Sequence, residues 1–201
     1  MHLNYYFLVR LISEMKSKFI GKKLLESYSQ NKDEVIFGFS DGDEDLHLKA
    51  IFNGSFSLIT FPKDAKRARK NSINLYGSLI DKTLLDIYVF ENERSFCLKF
   101  SEENSLIFKL HGNRANLILF ENQSLISIFR NSLINDKSLK INDLHRPIDQ
   151  SKEALFTNDF DQHSFFSAAI KLTVENLFPR AKIKLSFRNG NGYFTAHDLP
   201  L

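Results

Sequence analysis

Residues 23–61 read KLLESYSQNKDEVIFGFSDGDEDLHLKAIFNGSFSLITF, and the period of two in this stretch decides the fold. Apolar residues alternate with polar ones through Lys23 to Gln30, Glu34 to Ser40, Leu46 to Phe52 and Ser55 to Phe61. Turn chemistry separates the runs at Asn31-Lys32-Asp33, Asp41-Gly42-Asp43 and Asn53-Gly54. Side chains of a strand point alternately to its two faces, so these are half-buried strands joined as hairpins. Asn53-Gly54 is the strongest of the turns, because a tight hairpin needs positive φ and Gly and Asn adopt it at least cost.

Working outward, the N-terminal side has a different period. Leu3, Phe7, Leu8, Leu11, Ile12, Met15 and Phe19 recur at steps of three and four, which predicts a helix with Gly21 as its stop. On the C-terminal side a basic stretch, Lys63, Lys66, Arg67, Arg69 and Lys70, leads into a second expected helix from Ser72 to Lys82. Ser72 is its cap, and Ile73, Leu75, Leu79 and Ile80 lie on or near its buried side. Alternation then resumes in Leu84 to Glu91, Ser95 to Phe100, Ser105 to Leu110, Ala115 to Phe120 and Leu125 to Arg130. Evenly spaced short strands of this kind belong to antiparallel sandwiches or barrels, with flanking helices making the class α+β. The two helix-then-strand halves are read as a loose echo without a recurring residue motif.

From Asn131 to Asp159 apolar density drops and Pro147 interrupts, which predicts an extended connection and a boundary near residue 150. Residues 1–150 are thus one domain. Residues 151–201 are a linker and the start of a helical segment, with Phe165, Phe166, Ala169, Ile170, Thr173, Val174 and Leu177 as an apolar stripe ending before Pro179. One short alternating run, Ile183 to Phe187, and a Gly190-Asn191-Gly192 turn follow.

Composition narrows the function classes. The 201 residues are 43% apolar and 25% charged, the balance of a chain that buries a core. Twenty Phe with no Trp and four Pro disfavour a helical bundle. Cys97 is the one cysteine, so no intramolecular disulfide and no Cys-based zinc site can form, which fits a reducing, cytoplasmic setting. The first residues carry Arg10, Glu14, Lys16 and Lys18 instead of the apolar centre of a signal peptide, and no window reaches the ~18 apolar residues of a membrane span.

Catalytic signals are weak. The six histidines, at 2, 47, 111, 145, 163 and 197, show no metal-ligand spacing and read as scattered surface residues. Arg188-Asn189-Gly190-Asn191-Gly192 lacks the strand-helix context of a nucleotide loop, and the Asp41 to Asp45 run lacks the closing Glu of a calcium loop. Cys97 sits in an alternating strand with no nearby His, which describes a packed thiol. No enzyme, no cofactor and no metal site is expected. Polyanion binding has more behind it: Lys63, Lys66, Arg67, Arg69 and Lys70 cluster within eight residues, and Arg94, Arg114 and Arg130 fall at strand ends. The net charge of +3 supplies no strong global field, so by charge alone a solvated basic face remains open.

Three blocks in order carry a family resemblance. Asn4-Tyr5-Tyr6-Phe7-Leu8 with Gly21 and Ser29-Gln30-Asn31-Lys32-Asp33-Glu34, then Leu79 to Arg94, then Leu110 to Leu119, LHGNRANLIL, resemble the opening of the NFACT family, also called the fibronectin-binding protein A N-terminal family. The third block is similar to that family's LMGRHSNIIL strand-turn-strand. The resemblance implies a β-sandwich flanked by helices, like the N-terminal domain of formamidopyrimidine-type DNA glycosylases, although Met1-His2 replaces their catalytic proline. Residues 160–178 would open the helical helix-two-turn-helix-like domain that follows in the family.

The resemblance also implies a non-enzymatic role in ribosome quality control. Members bind tRNA and the large ribosomal subunit obstructed by peptidyl-tRNA, and support C-terminal tailing of stalled chains. The family's Asp-Arg pair tied to tRNA recruitment falls on Glu93 and Arg94, while the basic pair that precedes the helix-end leucine falls on Tyr76 and Gly77 and is lost, with Lys63 to Lys70 as its possible substitute. Arg114 and Asn116 are expected within reach of RNA phosphate or sugar. The family's older name implies a second function, binding of fibronectin or another protein. An enzyme acting on nucleic acid is the third and weakest, since fold does not carry function.

Overall fold

The computed structural model describes residues 5–54, 56–146, 182–188 and 191–197. The chain forms two compact units, Met1–Arg146 and Pro147–Leu201. In the second, β11 (Lys182–Arg188) and β12 (Asn191–His197) pair antiparallel, from Lys182↔His197 to Arg188↔Asn191. The helix expected over 160–178 lies outside the described residues.

The first unit opens with α1 (Tyr5–Phe19), which buries Leu8, Ile12, Met15 and Phe19 on one stripe. Two five-stranded antiparallel sheets follow. β1 (Lys23–Ser29), β2 (Glu34–Ser40), β3 (Asp45–Asn53), β4 (Phe56–Thr60) and β5 (Ile73–Asn74) form the first, in the order β4-β3-β2-β1-β5. β6 (Leu84–Val89), β7 (Ser95–Phe100), β8 (Asn104–Lys109), β9 (Asn116–Glu121) and β10 (Ser124–Ile128) form the second, in the order β10-β9-β8-β7-β6. Inward-facing rings meet between the sheets, Phe37 on Phe108 at 5.7 Å and Phe39 on Phe100 at 6.3 Å, so the architecture is an antiparallel sandwich with a flanking helix, α+β as expected. The outer face of the second sheet is also covered. Phe90, Cys97, Ile107, Ile118, Phe120 and Ile128 pack there with Leu144, Leu139 and Ile141. Part of the connection expected to be extended is therefore a pair of short 3-10 turns, Ile134–Ser138 and Ile141–Leu144, laid on the sheet. Burial on both faces explains why β7, β8 and β9 read as nearly continuous apolar runs.

The helix expected from Ser72 to Lys82 does not form. Ile73 and Asn74 instead pair with Ser29 and Tyr28 as an edge strand, and Gly77–Leu79 make a single 3-10 turn. Within that span Tyr76 and Asp81 take positive φ (48° and 65°), which no α-helix accommodates. Extended backbone here also supplies β1 with a partner, the Leu75 N–H donating to the Ser27 carbonyl at 2.9 Å. Because β4 and β5 are opposite edges of one sheet, residues 61–72 cross it as a strap.

The two halves are a repeat, contrary to the sequence-based expectation. GKKLLESYS (21–29) aligns with DKTLLDIYV (81–89), and each carries a bulge at the second leucine, between Leu24 and Glu26 and between Leu84 and Asp86. Leu24 pairs with Phe39 as Leu84 does with Phe100, and Tyr28 with Ile36 as Tyr88 does with Cys97. The hydrogen bonds between the halves are reciprocal. Leu24 N–H donates to the Lys82 carbonyl (3.0 Å) and Leu84 N–H to that of Lys22 (2.9 Å). Likewise Gly21 N–H donates to the Leu84 carbonyl (2.9 Å) and Asp81 N–H to that of Leu24 (2.8 Å). Lys22 pairs with Asp41 at 2.5 Å, and its counterpart Lys82 with Glu102 at 2.8 Å. Such mutual contacts define a pseudo-twofold axis through the isolated Lys23↔Thr83 bridge. Farther along, Phe37↔Leu48 matches Leu98↔Leu106 and Ala50↔Ile59 matches Phe108↔Leu117. This register makes Gly54 the counterpart of Gly112, and both hold the positive φ (56° and 60°) that a side chain resists.

Candidate functional site

The axis also relates the loops. The β1–β2 connection, Gln30 to Asp33, corresponds to the β6–β7 connection, Phe90 to Arg94, which is one residue longer; Asn53 corresponds to His111. The second-half loops carry the Glu93-Arg94 pair and the LHGNR block, and the structure joins them. Leu110 N–H donates to the Arg94 carbonyl at 2.8 Å, and His111 Nε2 lies 2.7 Å from Glu93 Oε2.

Glu93 is not an exposed turn residue. Its side chain is 4% exposed, and a carboxylate so buried needs donors around it. His111 supplies one, the Arg94 backbone N–H another at 3.2 Å, and Arg146 Nε a third at 2.5 Å from Oε1. Ser95 Oγ stands 3.3 Å from the same imidazole nitrogen. Burial holds the His111 pKa below its ordinary value and the charges of Arg94 and Lys109 add to this, while Glu93 opposes it. The neutral ring, with its Nε2–H donated to Glu93, satisfies this network. Arg146 is tied down further: its N–H donates to the Glu91 carbonyl at 3.1 Å, and its own carbonyl accepts from Asn92 Nδ2 at 2.7 Å. Sequence reasoning treated His111 as one of several scattered surface histidines. Its place inside the LHGNR block was the available signal.

Arg94 and Arg114 are exposed and carry no ion pair among the described residues. Arg114 closes the 3-10 turn Gly112–Arg114, which Arg130 braces by donating from Nη1 to the Asn113 and Ala115 carbonyls at 3.1 and 3.3 Å. Asn116 corrects an expectation. It is fully buried, with Oδ1 accepting from the Arg130 N–H (2.7 Å) and the Leu117 N–H (3.0 Å), and Nδ2 donating to Asp136 (2.8 Å). Its amide is spent on holding strand ends together, so it offers nothing to a ligand in solvent.

In the strap, Lys63, Lys66, Arg69 and Lys70 are exposed without an ion pair among the described residues. Arg67 differs. Its guanidinium stacks 4.8 Å from the Tyr28 ring and donates to Ser72 Oγ (2.7 Å) and Asn74 Oδ1 (2.6 Å), pinning the strap to the sheet. Tyr28 OH donates to the Ala65 carbonyl at 3.3 Å, and the Ala68 N–H to Gln30 Oε1 at 2.5 Å. The Gln30 turn continues into Lys32 and Asp33, which with Gly54, Phe129, Arg130, Asn131 and Ser132 line a cleft of about 370 Å³. The strap thus touches the turn that carries Lys32, Lys32 and Arg130 line one cleft, and Arg130 braces the turn that ends at Arg114.

Other chemistry finds little footing. No group of three His, Cys, Asp or Glu side chains is placed to hold a metal among the described residues. Burial pushes the Cys97 thiol up to about 11, which leaves it protonated and packed. No described helix is long and apolar enough to cross a membrane.

Comparison with solved structures finds the fold in the N-terminal parts of two streptococcal fibronectin- or fibronectin/fibrinogen-binding proteins and in a staphylococcal fibrinogen-binding protein. The N-terminal domain of fibronectin-binding protein PavA from Streptococcus pneumoniae matches with a TM-score of 0.57 and 13% identity, over 64% of this chain and 54% of that one. The N-terminal part of the fibronectin/fibrinogen-binding protein of Streptococcus suis matches with a TM-score of 0.57 and 14% identity, over the same shares. The fibrinogen-binding protein of Staphylococcus aureus matches with a TM-score of 0.55 and 12% identity, over 99% of this chain and 91% of that one. The chain spans about half the length of the first two. At these identities the likeness is one of fold. No protein-family model matches the chain, and no curated protein does.

Proposed function

We propose that this chain is a non-enzymatic, cytoplasmic RNA-binding module of the NFACT type, which engages tRNA and the obstructed large ribosomal subunit during ribosome quality control. One observation carries the reading: Lys63, Lys66, Arg69, Lys70, Lys32, Arg114 and Arg94, on the strap and on loops of the first unit, are all exposed and without ion pairs among the described residues. Exposed, unpaired cations suit a phosphate backbone, whose neutralisation releases counterions and makes binding salt-dependent. Arg94 is the residue presented from the turn that resembles the family's Asp-Arg pair, and the strap stands in for the basic pair lost at Tyr76-Gly77. Fluorescence-anisotropy titration of labelled tRNA at low and moderate salt tests this. Arg94→Ala weakens binding and lowers the salt slope by about one. No salt-dependent tRNA binding, even with stalled large subunits present, overturns it.

A second reading, binding of fibronectin or another protein, is favoured by the fibronectin and fibrinogen binding for which the fold's neighbours are named. Saturable capture on immobilised fibronectin that survives moderate salt, in a protein that ignores tRNA, selects it.

A further inference from the structure

The pseudo-twofold axis sets the Glu93 network beside its counterpart in the first half. The fold makes the same two connections twice, and in the first half they carry Lys32, Asp33 and Asn53, none of which forms an ion pair among the described residues. The first half does bury a carboxylate beside its turn, Glu34, but that side chain accepts from Asn31 of the same turn at 2.7 Å and pairs with Lys49 of β3 at 2.7 Å, a different set of partners from that of Glu93. Glu93 brings together three separate stretches of chain: the turn that presents Arg94, the loop that presents Arg114, and the end of the first unit at Arg146. We infer that His111 and Glu93 are positioning residues, a clamp that fixes the Arg94 turn against the Arg114 loop and anchors Arg146 to both. This rests on the RNA-binding reading for its functional consequence, though not for its geometry.

The physical reason is preorganisation. An exposed arginine on a five-residue connection loses conformational freedom when it meets a ligand, and a turn already locked to its neighbour loses less. The Leu110 N–H to Arg94 carbonyl bond lies next to the imidazole-carboxylate contact, so loosening one loosens the other.

His111→Asn installs the residue that the first half carries at the equivalent register position, Asn53, before the matching positive-φ glycine. Glu93→Gln is the isosteric second variant. In tRNA titrations His111→Asn weakens binding roughly threefold to tenfold, with the salt slope unchanged because no phosphate-contacting charge is removed. Added to Arg94→Ala, it costs nothing further. Wild-type affinity in His111→Asn and Glu93→Gln, or additive losses in the double variant, overturns the inference. Hydrogen exchange in the free protein separates this from failure of the RNA reading. The Leu110 and Arg146 amides exchange roughly tenfold faster in either variant than in wild type, while amides of β2 and β3 are unchanged. Unchanged exchange at Leu110 and Arg146 overturns the clamp whether or not tRNA binds.

Discussion

Phe39 and Phe100 face one another across the sandwich with ring centroids 6.3 Å apart and planes within 9°, and each is the other's counterpart under the pseudo-twofold axis. Each sits opposite the leucine that precedes a bulge, and each is 0–1% exposed. The centre of the core is thus one contact made by the same position used twice.

That symmetry has an energetic consequence. Phe39→Ala and Phe100→Ala each cost about 3–5 kcal/mol, the range for emptying a buried ring site. Because the rings share one contact, the double variant costs less than the sum. Urea unfolding of the single and double variants measures the coupling, and strict additivity contradicts the shared-contact account.

Asn116 is expected to matter for stability and not for ligand. Asn116→Ala leaves the Arg130 N–H and the buried Asp136 carboxylate each short of a partner, at a cost of about 1–3 kcal/mol. Lys109, which also pairs with Asp136, remains. Chemical denaturation gives the loss, and tRNA affinity at a temperature where the variant is folded stays at the wild-type value.

The strap separates pinning from presenting. Arg67→Ala lowers the melting temperature, because it removes the stack on Tyr28 and two side-chain hydrogen bonds. Lys66→Ala and Arg69→Ala leave the melting temperature within a degree or so, as exposed substitutions do, and reduce the salt slope of tRNA binding instead. Calorimetry beside titration checks both halves of the statement.

His111 makes stability pH-dependent in a defined direction. Its folded pKa lies below the ordinary value of 6.5, so the unfolded chain binds the proton first as pH falls. The contribution is complete above 6.5 and is lost as pH drops through the folded pKa. His111→Asn removes this dependence, and urea midpoints measured across that interval for both proteins show whether it does. The groups that face the ring are Glu93, Ser95, Arg94 and Lys109. Arg146 reaches it only through Glu93.

Much of the strand layout was legible because period-two alternation reflects burial of one face, a local pattern. The β2 and β7 boundaries, Glu34–Ser40 and Ser95–Phe100, match the expectation residue for residue. The missed helix at Ser72 to Lys82 had suitable apolar spacing, yet a free strand edge on β1 and two left-handed residues, Tyr76 and Asp81, decided otherwise, and the edge is not a local property of those residues. The repeat escaped notice because two half-domains that share backbone registers need share few side chains. Only Lys22/Lys82, Leu24/Leu84, Leu25/Leu85 and Tyr28/Tyr88 are identical between 21–29 and 81–89.

The candidate site divides along the same line. Sequence by itself determined the strand content, the basic strap and the Glu93-Arg94 and LHGNR blocks as residues of interest, since composition and local periodicity are written in the order of the chain. Only tertiary structure decided that Glu93 is buried against His111 and Arg146, that Asn116 is spent on the interior, and that Arg67 pins what its neighbours present. Those outcomes depend on which groups lose water when distant segments meet, and desolvation is a property of the folded assembly of strands.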